Sequence, residues 1–238
     1  SASRADVVVD DVRLQGGNAF ACYDDMSRFG DGSNVINKAI DAFGRLDILV
    51  NCPTAQHKSA PLTTDPGNFH HVIQTNVKGT FVAIRHASVI FRKQRSGRIV
   101  NFTSDAGLGE CLDASHAAAS EAIVGMTRTI ARDLGKYGVT CNAVSESHTT
   151  HFSDSHPQQI DEDAGEKSPG NLMNLENAAA LAIVLCTNVI PNVNGQVFGT
   201  EGGDIYLYST PSTKRSAHSW GAFTLDDLDG VMPSIIKD

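Results

Sequence analysis

His116 is the side chain of this sequence best suited to moving protons, because an imidazole titrates near neutrality without help. It opens the run His116-Ala117-Ala118-Ala119-Ser120, whose far end supplies a hydroxyl and no charge. Acid–base assistance of this kind is worth about a hundred- to ten-thousand-fold in rate, and it cannot replace a hydride donor that never binds. A dinucleotide pyrophosphate is normally reached through a Gly-x-Gly-x-x-Gly turn at a helix start, and the sequence has none. Gly30-Asp31-Gly32 and Gly107-Leu108-Gly109 offer only two glycines apiece and read as turns. His148, His151 and His156 cluster with Asp154, but zinc needs ligands fixed by rigid elements and a second shell. These lie in a polar stretch, 145–170, that reads as a mobile loop, so no metal site is expected.

The elements that must position these residues follow from the apolar pattern. Asp47-Ile48-Leu49-Val50-Asn51, Arg98-Ile99-Val100-Asn101-Phe102-Thr103-Ser104 and Val139-Thr140-Cys141-Asn142-Ala143-Val144 are short apolar runs of the kind buried parallel strands require. Between them, Val72, Ile73, Val77, Phe81 and Ile84 predict a helix over about 68–92, and Ile123, Met126, Ile130 and Leu134 another over about 115–137. Strand and helix in this rhythm predict an α/β fold: a Rossmann-like, doubly wound parallel sheet with helices on both faces. At the start, Ser3-Arg4-Ala5-Asp6 has capping-box spacing, Val8 and Val12 are one turn apart, and Gly16-Gly17 would end the helix. Asn18-Ala19-Phe20-Ala21-Cys22-Tyr23 then reads as a strand. A competing reading makes Val7-Val8-Val9 a strand, since β-branched residues favour one.

Taken in order, several segments resemble the short-chain dehydrogenase/reductase family over nearly the whole chain. Phe43 to Asn51 looks like its fourth strand and approach, and Thr75-Asn76-Val77-Lys78-Gly79-Thr80-Phe81 like its Asn-bearing helix. Gly97 to Ser104 is similar to its fifth strand, Tyr137 to Val144 to its sixth, and Asn194-Gly195-Gln196-Val197-Phe198 to its last. Gly203-Asp204-Ile205-Tyr206-Leu207-Tyr208-Ser209 and Trp220-Gly221-Ala222-Phe223-Thr224 resemble a branch similar to the hydroxyacyl-CoA dehydrogenase part of peroxisomal multifunctional enzymes. The resemblance makes the first helix and strand the family's third helix–strand step. The expectation is that the N-terminal strand, Gly-rich loop and helix unit is missing or truncated here, by trimming of a longer chain or by substitution with Val7-Val8-Val9.

The same resemblance assigns a site. Ser104 matches the serine that hydrogen-bonds the substrate oxygen, and Asn76 the asparagine that holds the proton-relay water. His116 and Ser120 replace the tyrosine and lysine of Tyr-x-x-x-Lys, which removes both the acid and the ammonium that lowers its pKa and holds the ribose. Of the cofactor contacts, Asp25 and Asn51 are matched as vestiges. Asn51-Cys52-Pro53-Thr54 departs from Asn-Asn-Ala-Gly, with Pro53 removing a backbone donor and Thr54 adding bulk. After the sixth strand, Thr149 or Thr150 can fill a threonine role, but Glu146 adds negative charge beside an anionic cofactor's place. His116 is then either a replacement acid or the helix-start residue of a defunct pocket, and Ser104 and Asn76 either functional or kept for packing and capping.

The 238 residues, 41% of them apolar, are enough for one domain over 1–238, with a substrate-loop region at about 145–170 and a C-terminal extension at about 200–238. A formal charge of −8 disfavours nucleic acid and anionic membrane. No apolar stretch approaches the roughly 20 residues a bilayer requires. Cys22, Cys52, Cys111, Cys141 and Cys186 are odd in number and scattered, which predicts reduced thiols in the cytoplasm, most as small core residues. The family pairs two helices between subunits, here about 68–92 and 115–137, where Ala117, Ala118, Ala119 and Ala122 are either small interface residues or plain helix formers. The expected function is a non-catalytic subunit that binds no cofactor itself and supports an active homologous subunit. That partner would hold NAD or NADP and oxidise a hydroxyacyl-CoA or similar secondary alcohol. The alternatives are an active alcohol dehydrogenase using His116 with a cofactor segment outside this sequence, and an acyl-CoA-binding or regulatory module.

Overall fold

A computed structural model describes residues 3–109, 113–146, 169–201 and 203–237. Helix α1 (Arg4–Leu14) starts on the expected capping box: the Ser3 hydroxyl accepts from the Asp6 N–H at 3.2 Å, and the Asp6 carboxylate accepts from the Ser3 N–H at 3.0 Å. Gly16 takes a φ of +82°, which a glycine adopts without strain, so the chain turns away there and Val7–Val9 are helical. Residues 18–25 are not a strand, contrary to the sequence pattern. A strand is defined by a partner ladder, and no described strand lies alongside this segment.

Helix α2 (Phe29–Phe43) contains Gly30-Asp31-Gly32, which is therefore not a turn. Gly32 is needed for packing: a Cβ there would overlap the Val82 side chain on the neighbouring helix. Strand β1 (Ile48–Asn51) leads to α3 (Pro66–Val72), capped by Asp65 with Pro66 in its first turn. The helix predicted over about 68–92 is interrupted. Residues Ile73–Lys78 form a π-helical turn before α4 (Gly79–Gln94) begins, and this widened turn carries Asn76.

Strand β2 (Gly97–Ser104) follows, then α5 (Ala114–Gly135), β3 (Val139–Glu146), α6 (Pro169–Leu185), β4 (Val197–Glu201) and β5 (Asp204–Leu207). The sheet runs β1-β2-β3-β4-β5, parallel except for β5, which pairs antiparallel with β4. Alternate residues face opposite sides. Ile99 and Cys141 pack on one face with Ile84, Ala87 and Phe91 of α4 and Ala131 of α5. Val100 and Val144 pack on the other with Ala178, Leu181 and Leu185 of α6. The sheet advances one strand at a time in a single direction, so the crossover through α6 has the opposite hand to the two before it. That reversal covers both faces and gives the Rossmann-like α/β architecture.

Residues 209–238 form a separate compact unit, in which α7 (Leu225–Ile236) begins on a second capping box, Thr224 with Asp227. Of the described cysteines only Cys141 is a core residue; Cys22 and Cys186 are half-buried and Cys52 is exposed. The expectation of core thiols fails for these because they sit in or beside loops and helix ends. Cys111 lies outside the described residues.

The two glycines of α2 should respond oppositely to the same change. Gly32→Ala is expected to lower urea-unfolding stability by about 1–3 kcal/mol, through overpacking against Val82. Gly30→Ala, whose Cβ meets nothing within 4 Å, is expected to raise it by up to about 1 kcal/mol through helix propensity.

Candidate functional site

In an open parallel sheet, ligands bind beyond the carboxyl ends of the strands. Here those ends are Asn51, Ser104 and Glu146. The Asn51 side-chain amide donates to Asn101 Oδ1 at 2.8 Å, which anchors the end of β1 to the middle of β2. The loop that follows is held by Asn76, whose Nδ2 donates to the Ala55 carbonyl at 2.8 Å while its Oδ1 accepts from the Ala55 N–H at 3.1 Å. Both ends of that buried amide are thus engaged by one residue of the loop.

Ser104 is buried and caps the short 3-10 turn Asp105–Leu108: its Oγ accepts from the Ala106 N–H at 3.2 Å. Gly109 ends that turn at a φ of +119°, so Gly107-Leu108-Gly109 is a turn, as its composition suggests. The start of α5 is fixed by Asp113, which is 1% exposed. Its carboxylate accepts from the His116 N–H at 3.2 Å and from Gln56 Nε2 at 2.9 Å, tying the helix to the loop after β1. A carboxylate at this point also meets the positive end of the helix dipole. His116 therefore lies in the first turn of α5. One turn on, Ser120 is buried and its carbonyl accepts from Thr103 Oγ1 at 2.9 Å, beside Ser104.

These bonds bring Asn51, Asn76, Ser104, His116 and Ser120 to one end of the sheet. Asp25 makes its bonds elsewhere, in a local turn: it accepts from the Ser27 N–H at 2.9 Å and pairs with Arg28 at 3.5 Å. The Ser27 hydroxyl and then its N–H hold the Asp25 carboxyl below its usual pKa, with smaller help from Arg28 and Lys78. Asp113 and Gln56 went unrecognised in the sequence. For Asp113 a signal existed, since Asp three residues before a helical position is the spacing of an N-cap. Gln56 gave none.

The electrostatics of the crevice are negative at one point. Burial raises the Cys52 thiol pKa, and the Glu146 carboxylate raises it further, so Glu146 projects its charge onto the loop after β1. Cys141 is raised to about 12 by burial. The candidates Thr149, Thr150, His148, His151, Asp154 and His156, and most of the substrate-loop region, lie outside the described residues. Among the described residues no group of His, Cys, Asp and Glu is arranged to hold a metal. No helix among them is long and apolar enough to cross a membrane.

The fold and this crevice define a Rossmann-like α/β protein with its candidate site residues beyond the strand ends. A family model described as Enoyl-(Acyl carrier protein) reductase matches residues 2–204. The chain is 34% identical over 146 residues to a 3-oxoacyl-(acyl-carrier-protein) reductase of Synechocystis sp., covering 61% of this chain and 59% of that protein. It is 28% identical over 209 residues to the enzyme of the same name from Staphylococcus epidermidis, covering 85% of this chain and 84% of that one. A peroxisomal hydratase-dehydrogenase-epimerase of Neurospora crassa is 35% identical over 146 residues, 16% of its length. Among solved structures, a short chain dehydrogenase from Mycobacterium avium superposes with a TM-score of 0.82 at 28% identity, over 97% of this chain and 78% of that one. The chain belongs to the short-chain dehydrogenase/reductase family of oxidoreductases.

The Glu146 charge can be read through Cys52. Glu146→Gln removes a charge that opposes thiolate formation, so the thiol pKa falls and the thiolate fraction at pH 8 rises. Alkylation of Cys52 by iodoacetamide is expected to quicken by about two- to fivefold. Cys141 is expected to stay unlabelled in the native protein and react only on unfolding, as mass spectrometry of the labelled peptides would show.

Proposed function

We propose that this chain is a non-catalytic member of a hetero-oligomeric short-chain dehydrogenase/reductase, paired with an active homologous subunit that performs NAD- or NADP-dependent oxidation of a hydroxyacyl-CoA or similar secondary alcohol. The observation that carries the reading is the start of α5. The position of the family's acid holds His116, and one turn later the position of its ammonium holds Ser120, a buried hydroxyl whose carbonyl is taken by Thr103. Without that cation, position 120 offers no positive charge to hold a ribose or to lower the pKa of a neighbouring acid.

Two further features favour the same reading. Pro53 and Thr54 occupy the loop after β1 where a cofactor needs a backbone donor and close approach. Glu146 turns negative charge toward that loop, and a pyrophosphate there would be repelled. The residues present do not suit a dinucleotide. What the chain's own residues supply is a scaffold: Asn76 clamps the loop, Asp113 fixes the helix start and Ser104 caps the turn between them. The carrier-protein reductase relatives widen the substrate class of the active partner to thioesters of either carrier.

Isothermal calorimetry of the purified chain is expected to show no saturable binding of NAD(H) or NADP(H), while the complex with the active subunit binds one of them. Tight binding by the chain alone overturns the proposal. Reduction of NAD by the chain, abolished in His116→Ala, would overturn it in favour of an active enzyme.

A further inference from the structure

We infer that Asn194-Gly195 is a modification site gated by folding: closed in the native chain, open in the unfolded one, and a bar to refolding once its amide has become a carboxylate. The sequence holds this Asn–Gly pair and no other. Glycine lacks a Cβ, so its backbone nitrogen reaches the side-chain carbonyl carbon of the preceding residue with the least steric hindrance. A bond forms from that carbon to the Gly195 nitrogen, the bond to Nδ2 breaks, and ammonia leaves carrying the Gly195 proton. Water then opens the five-membered imide at either carbonyl, giving aspartate or the β-linked isoaspartate. The step needs no oxidant, reductant or metal.

The fold withholds both reacting groups. Asn194 Oδ1 accepts from the Cys141 N–H at 2.8 Å and Nδ2 donates to the Ala131 carbonyl at 2.9 Å, so the side chain is held at both ends between β3 and α5. The Gly195 N–H, the attacking group, donates to the Cys141 carbonyl at 2.9 Å. Gly195 has a φ of +75°, and a Cβ added there would lie 3.3 Å from Ala131 Cβ, so the turn sits tightly against α5. Ring closure has to break these three hydrogen bonds together, which ties its rate to opening of the clamp.

The same bonds make the product a poor fit to the fold. A carboxylate at 194 still accepts from Cys141, but it is an acceptor only, and its second oxygen stands where Nδ2 donated, facing the Ala131 carbonyl oxygen with no proton between them. The position is half-buried, so water only partly relieves that contact. Isoaspartate does more damage, because it adds a carbon to the main chain immediately before Gly195 and Gln196. The Gln196 N–H must meet Asn142 Oδ1 at 3.0 Å and its carbonyl the Ala143 N–H at 2.9 Å for β4 to enter the sheet in register.

The full chain is held in the same mildly alkaline buffer with and without unfolding urea, and the peptide carrying Asn194 is followed by mass spectrometry. The mass gain of an amide-to-acid exchange is expected to appear at least about tenfold faster in urea. Partly converted chains are then diluted out of urea, and the converted peptide is expected to be at least about fivefold enriched in the aggregate over the refolded fraction. Asn194→Asp, compared as expressed, is expected to melt at least about 4 °C below wild type, whereas Asp at the exposed Asn192 leaves the melt unchanged. Equal conversion with and without urea, no conversion in urea, an even split between aggregate and refolded chains, or a wild-type melt for Asn194→Asp overturns the inference.

Discussion

The buried amide of Asn101 is the interaction on which the arrangement of the crevice depends. It accepts from the Asn51 amide at 2.8 Å and donates to Thr127 Oγ1 at 2.9 Å, and Thr127 in turn donates to the Ile123 carbonyl at 2.8 Å. Asn101 and Thr127 are wholly inaccessible. A polar group in such a place costs about 1–3 kcal/mol if left without a partner, so the chain from β1 through β2 to α5 is satisfied in one register and frustrated in others. Hydrophobic contact alone would let α5 slide along the sheet; the hydroxyl of Thr127 does not. A matching set lies on the other side of β3. Asn194 Oδ1 accepts from the Cys141 N–H and its Nδ2 donates to the Ala131 carbonyl, while Asn142 spans from Val193 to Gln196. The helix is thereby pinned to strands on both flanks.

The bonds that fix α5 come largely from buried side chains and from the backbone. Fixing α5 draws on Thr127, Asp113 and the backbone carbonyl of residue 120. Lysine at 120 would present the same carbonyl to Thr103 as Ser120 does. Likewise, Asn76 holds Ala55 through a reciprocal pair that serves the loop whether or not a substrate arrives.

The same division governs what could be read from the sequence. The central strands were legible because each is a short, largely apolar run, and α1 because Ser3 and Asp6 announce a capping box. Asn18 to Tyr23 misled because a short apolar run marks a segment that could pair, while pairing needs a neighbour that composition does not supply. Gly30-Asp31-Gly32 misled for a related reason: a glycine demanded by the approach of Val82 looks identical to one demanded by a turn. The π-helical turn at Ile73–Lys78 leaves no mark on the apolar periodicity, since it adds one residue to a single turn and the register recovers in α4. Asn51, Asn76, Ser104, His116 and Ser120 converge as their order along the chain suggests. The bonds that hold them, from Gln56 to Asp113 and from Thr103 to residue 120, span 57 and 17 residues and leave no local pattern.

Helix α5 serves two surfaces at once. Ile123, Thr127 and Ala131 face the sheet, and Ile130, Asp133 and Leu134 face outward beside α4. The inward face of this helix cannot shift without breaking the Asn101 chain, and its first turn cannot move without releasing Asp113 from Gln56. The outward residues are therefore held on a rigid support, because packed interiors resist continuous deformation.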